Sequence, residues 1–102
     1  MGVRHGLAAR FSGIIREGHK GCAIEVPFDP KERWGVSPVA IRPGRRGHRV
    51  TARLGTRSFE STVVARSRAW WLVLADDLLR DAGLVPGETV SVEIRPTAMG
   101  AR

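Results

Sequence analysis

Residues 49–65 constrain the fold more than any other stretch of the chain. Val50, Ala52 and Leu54 alternate with Arg49, Thr51 and Arg53, and Phe59, Ser61, Val63 and Ala65 share one face of a second run over residues 57–65. Period two with one apolar face marks a half-buried strand. Gly55-Thr56 separates the two runs, and a glycine first in a two-residue loop fits a type II′ hairpin turn. That turn sets Ala52 opposite Phe59 and Thr51 opposite Glu60. Apolar meets apolar and polar meets polar, so turn and pattern specify the same register. A chain built around such a hairpin must complete an antiparallel sheet.

The remaining segments supply it. Phe11 to Arg16, residues 22–26, Val39-Ala40-Ile41, Trp70 to Leu74 and residues 89–95 all read as strands. Two short helices interrupt them. In Asp29-Pro30-Lys31-Glu32-Arg33-Trp34-Gly35, Asp29 can cap, Pro30 suits the first helical position, Glu32 gives a capping-box-like pair, and Gly35 can close the helix left-handed. In Asp77 to Leu84, Asp77 is expected to cap, Gly83 to terminate, and Leu84 to fold back on Leu79. The two helical units align at an offset of 48, with Val26 to Pro38 matching Leu74 to Pro86 without a gap. The expected fold is therefore all-β, a small closed or double-split β-barrel with two short capping helices. The division is a flexible segment over 1–10, one barrel-like domain over 11–96, and a frayed tail over 97–102.

Size and composition narrow the function. A chain of 102 residues suits one domain. No apolar run approaches the roughly 20 residues that span a membrane, and Met1 to Arg10 has no apolar core of a secretory signal. Cytoplasmic residence is expected, without a membrane partner. The single cysteine, Cys22, cannot form an internal disulfide. It alternates with Ile24 and Val26, so it reads as a buried packing residue. His5, His19 and His48 do not combine with Cys22 or a carboxylate at metal-ligand spacing. There is no catalytic triad pattern, P-loop or dinucleotide fingerprint. The expectation is a non-enzymatic chain with no metal and no cofactor.

The net charge is +7, and 15 of the 17 basic residues are arginine. A positive field attracts phosphate, acidic protein or anionic lipid. Arg42, Arg45, Arg46 and Arg49 fall in a Gly- and Pro-spaced connector expected to be an exposed loop or hairpin tip. Guanidinium groups match phosphate oxygens bidentately. Arg66 and Arg68 form a second basic stretch beside Trp70 and Trp71, where arginine and aromatic rings could hold single-stranded nucleic acid. The six arginines are the expected nucleic-acid or polyanion contacts. Trp70 shares a face with Leu72 and Leu74 and is expected in the core. Trp71 and Trp34 are placed near the mouth of a barrel that could instead take a small apolar ligand. A protein-interaction or structural role, as a homodimer joined along a strand edge or with an acidic protein partner, is the third reading.

Phe11, then Ala23-Ile24-Glu25-Val26-Pro27, Trp34-Gly35, Val50 to Gly55, Phe59 to Val63 and Leu79 to Val92 follow one another in a recognisable order. In this order the chain resembles a small bacterial domain-of-unknown-function family that occurs alone or ahead of a YdeI/OmpD-associated, bacteriocin-protection region. The resemblance implies a small β-barrel with short helices at its ends and supplies no catalytic residue. No such region is found in these 102 residues, so no part in bacteriocin protection is implied. Leu79 to Val90 is also similar to half of the swapped-hairpin motif of AbrB-type regulators, which implies DNA contact by an intertwined dimer.

Overall fold

The structure, a computed structural model, describes residues 8–18 and 21–97, apart from the side chain of Arg42. Eight strands and two helices follow in the order β1 (Ala9–Ile14), β2 (Arg16–Gly18), β3 (Gly21–Val26), α1 (Pro30–Trp34), β4 (Val39–Arg42), β5 (Arg45–Leu54), β6 (Arg57–Arg66), β7 (Ala69–Leu74), α2 (Asp76–Ala82) and β8 (Thr89–Pro96). No helix is long and apolar enough to cross a membrane among the described residues.

The central hairpin forms in the register its sequence specifies, with Ala52 opposite Phe59 and Thr51 opposite Glu60. Gly55 has φ of 64° while Thr56 stays out of the positive-φ region, as a type II′ turn requires. Alternation then decides the core. Val50, Ala52, Val63, Leu72, Ile24, Val92 and Ile94 lie on the inner face and are buried. Among the described residues, side chains fill the inside of the curl and leave no hollow lumen of the kind that an interior ligand would need. Cys22 is buried among them. Trp70, expected in the core, is half-buried at its margin.

The sheet order is β1-β8-β5-β6-β7-β3-β2, and β4 pairs with β5 off this path. All ladders are antiparallel. The two ends of this order, β1 and β2, are consecutive in the chain with only Ile15 between them. The sheet must therefore curl back on itself. It does so as a strongly curled half-barrel whose closing seam carries no ladder among the described residues. Gly13 of β1 approaches the Ile24 side chain of β3 instead; a Cβ there would stand 3.4 Å from Ile24 Cβ. Ile15 is 1% exposed. Its N–H donates to the Glu88 carbonyl at 2.9 Å and its carbonyl accepts from the Gly87 N–H at 2.8 Å.

The 48-residue offset survives in the register. Ile24 of β3 faces Leu72 of β7, its own counterpart at that offset. The pairs Arg16–Ala23 and Glu17–Cys22 recur as Val64–Trp71 and Ala65–Trp70. A pseudo-twofold axis thus passes through the Ile24–Leu72 pair.

Three expectations change at the edges of elements. Ala9 and Arg10 belong to β1, opposite Ile94 and Glu93, so the segment expected to be flexible through residue 10 is sheet from residue 9. Thr97, placed in the frayed tail, donates its N–H to the Arg49 carbonyl at 3.0 Å. Residues 1–7 and 98–102 lie outside the described residues, as does His19. At α2, helix begins at Asp76, with Ala75 at the cap position and no side-chain cap bond. Asp77 turns its carboxylate to Arg80 at 3.2 Å instead. At α1 the cap is as expected: Asp29 accepts from the Lys31 N–H at 2.9 Å and Gly35 closes the helix at φ 69°.

Candidate binding site at the β5 rim

Of the two forms expected for the basic connector, loop or hairpin tip, the structure has the second, as the β4–β5 hairpin. Pro43-Gly44 makes a tight turn and the chain enters β5 at once at Arg45. Gly44 has φ of 77°, which suits Pro-Gly in a type II turn. The ladder of β5 with β6 runs to Gly47–Val64. Two residues further, β5 begins in Arg45 and β6 ends in Arg66. The β4–β5 turn and the Ser67-Arg68 turn therefore lie at the same end of the sheet. The fold gathers Arg45, Arg46, Arg66 and Arg68, with the backbone of Arg42, at this end, and Arg49 sits one step further along β5. The Arg46 guanidinium donates to the Pro38 carbonyl at 3.2 Å. Among the described residues the only ion pairs are Arg10–Glu93 and Arg80–Asp77, so none of these five arginine side chains has a carboxylate partner.

Trp34 and Trp71 do not share a mouth. Trp34 is buried, 7% exposed, and stacks edge-on with Phe28 at 5.7 Å. Trp71 lies on the outer face of β7, between Glu25 and Val64, and its indole N–H donates to the Arg66 carbonyl at 3.1 Å. That bond ties β7 back across its hairpin to the last residue of β6.

A groove opens elsewhere on this rim, for a topological reason. One edge of β5 is shared by two strands: β8 pairs with Val50 to Arg53, and β4 with Gly47 to Arg45. Between them, at residues 48 and 49, neither strand continues. β8 ends at Pro96, opposite Val50, with a last bond from the Thr97 N–H to the Arg49 carbonyl at 3.0 Å. The gap is a groove of about 400 Å³, within the range of small-molecule sites. Val36, Ser37 and Val39 line it from the α1–β4 side, Pro96 and Thr97 from the β8 side, and residues 47–49 along the edge of β5.

His48 is the residue that sequence reasoning passed over. It is 3% exposed, and its Nε2 has no hydrogen-bond partner among the described residues. Its ring lies 6.2 Å from Trp34 and 5.4 Å from Trp70, edge-on to both. It continues an aromatic row that starts at Phe11 and Phe28. Burial pushes its pKa down, and the Asp29 charge opposes this only in part. At neutral pH the ring is an uncharged imidazole. The signal was present in the sequence: carrying the alternation of Val50, Ala52 and Leu54 back by one step puts His48 on the apolar face. Cys22 is different. Burial, with the charges of Glu17 and Asp76, pushes its thiol pKa up, so it stays protonated and weakly nucleophilic. Among the described residues no group of three His, Cys, Asp or Glu side chains could hold a metal ion.

No curated protein matches the chain. The family described as a domain of unknown function, DUF1905, matches residues 11–94. That span runs from the third residue of β1 to near the end of β8, and so takes in most of the curled sheet, both helices and all of β5. The chain belongs to the DUF1905 family.

Proposed function

We propose that the chain is a non-enzymatic, cytoplasmic binding module that contacts nucleic acid or another polyanion through the arginine-bearing end of its sheet. The observation that carries this reading is the gathering of two arginine runs, distant in sequence, at one end of the sheet without carboxylate partners among the described residues. Guanidinium groups whose charge no neighbouring carboxylate neutralises match phosphate oxygens. The resemblance of Leu79 to Val90 to the motif of DNA-binding AbrB-type regulators supports the same reading.

The test is fluorescence-anisotropy titration of mixed-sequence DNA and RNA across a salt series, with Arg45→Ala/Arg46→Ala beside the parent. The expected result is affinity that falls linearly in log salt, with a slope shallower by about two in the double variant, one for each lost phosphate contact. Absence of binding at low salt would remove the reading. Equal slopes would move the contact away from Arg45 and Arg46.

The small-apolar-ligand reading loses its hollow interior but keeps the groove at the β5 rim.

A further inference from the structure

Arginine recurs at every fourth residue along β5, as Arg45, Arg49 and Arg53. Val50 and Ala52 turn inward and are buried, so alternation places these three arginines on the outer face, with Gly47 and Thr51 between them. The ladder with β6 keeps one register from Gly47 to Leu54, and the shift in the β4–β5 ladder takes its extra residue, Ile41, from β4. The alternation of β5 is therefore unbroken. A strand rises about 3.3 Å per residue, which sets successive arginines of this row about 13 Å apart.

Pairing sets what surrounds the row. Thr62, Glu60 and Ser58 of β6 stand opposite Arg49, Thr51 and Arg53. On the other side, Arg95 and Glu93 of β8 stand opposite Thr51 and Arg53, and Arg10 of β1 stands opposite Glu93. Both carboxylates of this face are engaged. Glu60 accepts from the Thr51 hydroxyl at 3.2 Å on one oxygen and from the Thr97 hydroxyl at 3.4 Å on the other. Glu93 pairs with Arg10 at 3.6 Å. Arg49, Arg53 and Arg95 are exposed and have no carboxylate partner among the described residues. The outward positions of β1, β8, β5 and β6 hold no aromatic side chain among the described residues. The whole chain contains neither asparagine nor glutamine, the amides that read adenine edges bidentately.

We propose, building on the polyanion reading, that the outer face of β5 lies across the major groove of duplex DNA and holds its backbones without reading base sequence. The groove is about 12 Å wide and admits a β-ribbon, so a row of cations about 13 Å apart meets the backbones on its two sides. The face is the convex side of the curl, the shape that enters a groove. Its threonine and serine hydroxyls and its guanidinium groups are phosphate donors. Single-strand binding without sequence preference draws on rings for base stacking, and this face has none to offer.

The experiment titrates the protein with a short duplex DNA, each of its single strands, and duplex RNA of the same sequence, across a salt series. The duplex DNA is expected to bind about tenfold more tightly than either single strand, and more tightly than the RNA, whose major groove is deep and narrow. A·T-rich and G·C-rich duplexes should agree within about threefold. Arg49→Ala/Arg53→Ala should make the salt slope shallower by about two. Arg49→Thr/Arg53→Thr, which keeps strand propensity, should do the same. Arg16→Ala/Arg80→Ala removes equal charge away from this face and should leave the slope unchanged. Absence of binding to every nucleic acid at low salt removes the polyanion reading and this assignment with it. Binding that persists, with single strands or duplex RNA equal to duplex DNA, or with the parental slope in both Arg49/Arg53 variants, overturns the assignment alone. A slope that falls equally in the Arg16/Arg80 variant would also sink it, because net charge and not this face would then govern binding.

Discussion

Gly47 and His48 are neighbours that serve opposite faces of one strand. Gly47 is not glycine for its φ, which is ordinary, but for space: a Cβ there would stand 2.5 Å from the Val63 carbonyl oxygen and 3.1 Å from Val64 Cγ1. The nearer atom is backbone and cannot swing aside. Gly47→Ala should therefore destabilise the domain by about 2–3 kcal/mol, as overpacking does, seen as a lower urea midpoint with an unchanged m-value. His48 faces the other way, and its buried, uncharged state makes stability pH-dependent. Its folded pKa lies below the ordinary imidazole value of about 6.5. Above that value neither folded nor unfolded chain is protonated there, and the group contributes no pH dependence. As pH falls below it the unfolded chain takes up a proton that the folded chain refuses, so stability is lost until the depressed folded value is reached. His48→Phe keeps the aromatic row and removes the titration. Thermal unfolding between pH 7 and pH 5 should show a decline in the parent that the variant lacks. A variant with the same decline would assign the effect to the carboxylates.

The hairpins show how much of the elements the sequence carries. At Gly55-Thr56 turn chemistry, alternation and cross-strand pairing all agree, and the register could be read in full. The Ser67-Arg68 turn has no such signature. Both residues take left-handed φ, 54° and 65°, which is a type I′ turn made without glycine or asparagine. Sequence reasoning saw basic residues there and no turn, because the usual residues for that backbone are absent. The same limit applies at the connector over 42–49, where glycine and proline read as a loop or hairpin tip and the extent of strand on either side of the tip was not legible. Cross-strand pairing with Val64, Val63 and Thr62 makes it strand, and single-chain patterning cannot weigh a partner it has not yet placed. The helix at Asp77 was displaced by one residue, since Asp76 and Asp77 are equally good starts in sequence and only the path of the chain after Leu74 chooses between them. The left-handed turn also yields a prediction. Each non-glycine residue in that region costs about 1–2 kcal/mol, so Ser67→Asn/Arg68→Gly should raise stability by about 1–2 kcal/mol and the melting temperature accordingly. If Arg68 contacts phosphate as proposed, the same variant should bind DNA with a shallower salt dependence. Greater stability with weaker polyanion binding would mean that strain is kept at this turn for the sake of its arginine.

At the scale of the molecule, the decisive fact is that β1 and β2 sit at opposite ends of the sheet yet are separated by one residue. The pseudo-twofold through Ile24 and Leu72 makes the contrast plain: β6 runs unbroken where β1, Ile15 and β2 break the corresponding stretch. The break lets one stretch of chain serve both ends of the curl. No ladder joins those ends among the described residues, so the curl is held there by the covalent chain, by Gly13 against Ile24, and by Ile15. Ile15 carries both a buried side chain and two backbone bonds to the Gly87-Glu88 corner. Its truncation should therefore act on closure and not only on packing. Ile15→Ala is expected to cost about 3–4 kcal/mol, a large share of the roughly 5–15 kcal/mol that holds a domain together. The location of the loss separates closure from packing. If Ile15 fastens the seam, native-state hydrogen exchange should lose protection first in β1, β2 and the β1-facing edge of β8, while the β5–β6 amides keep theirs up to the global unfolding limit. Leu72→Ala, an equally buried truncation on the pseudo-axis, should lower protection through β3, β7 and β6 instead. The same exchange pattern in both variants would mean that the half-barrel opens only as a whole, and that its seam is closed by the packed interior with no separate fastening at Ile15.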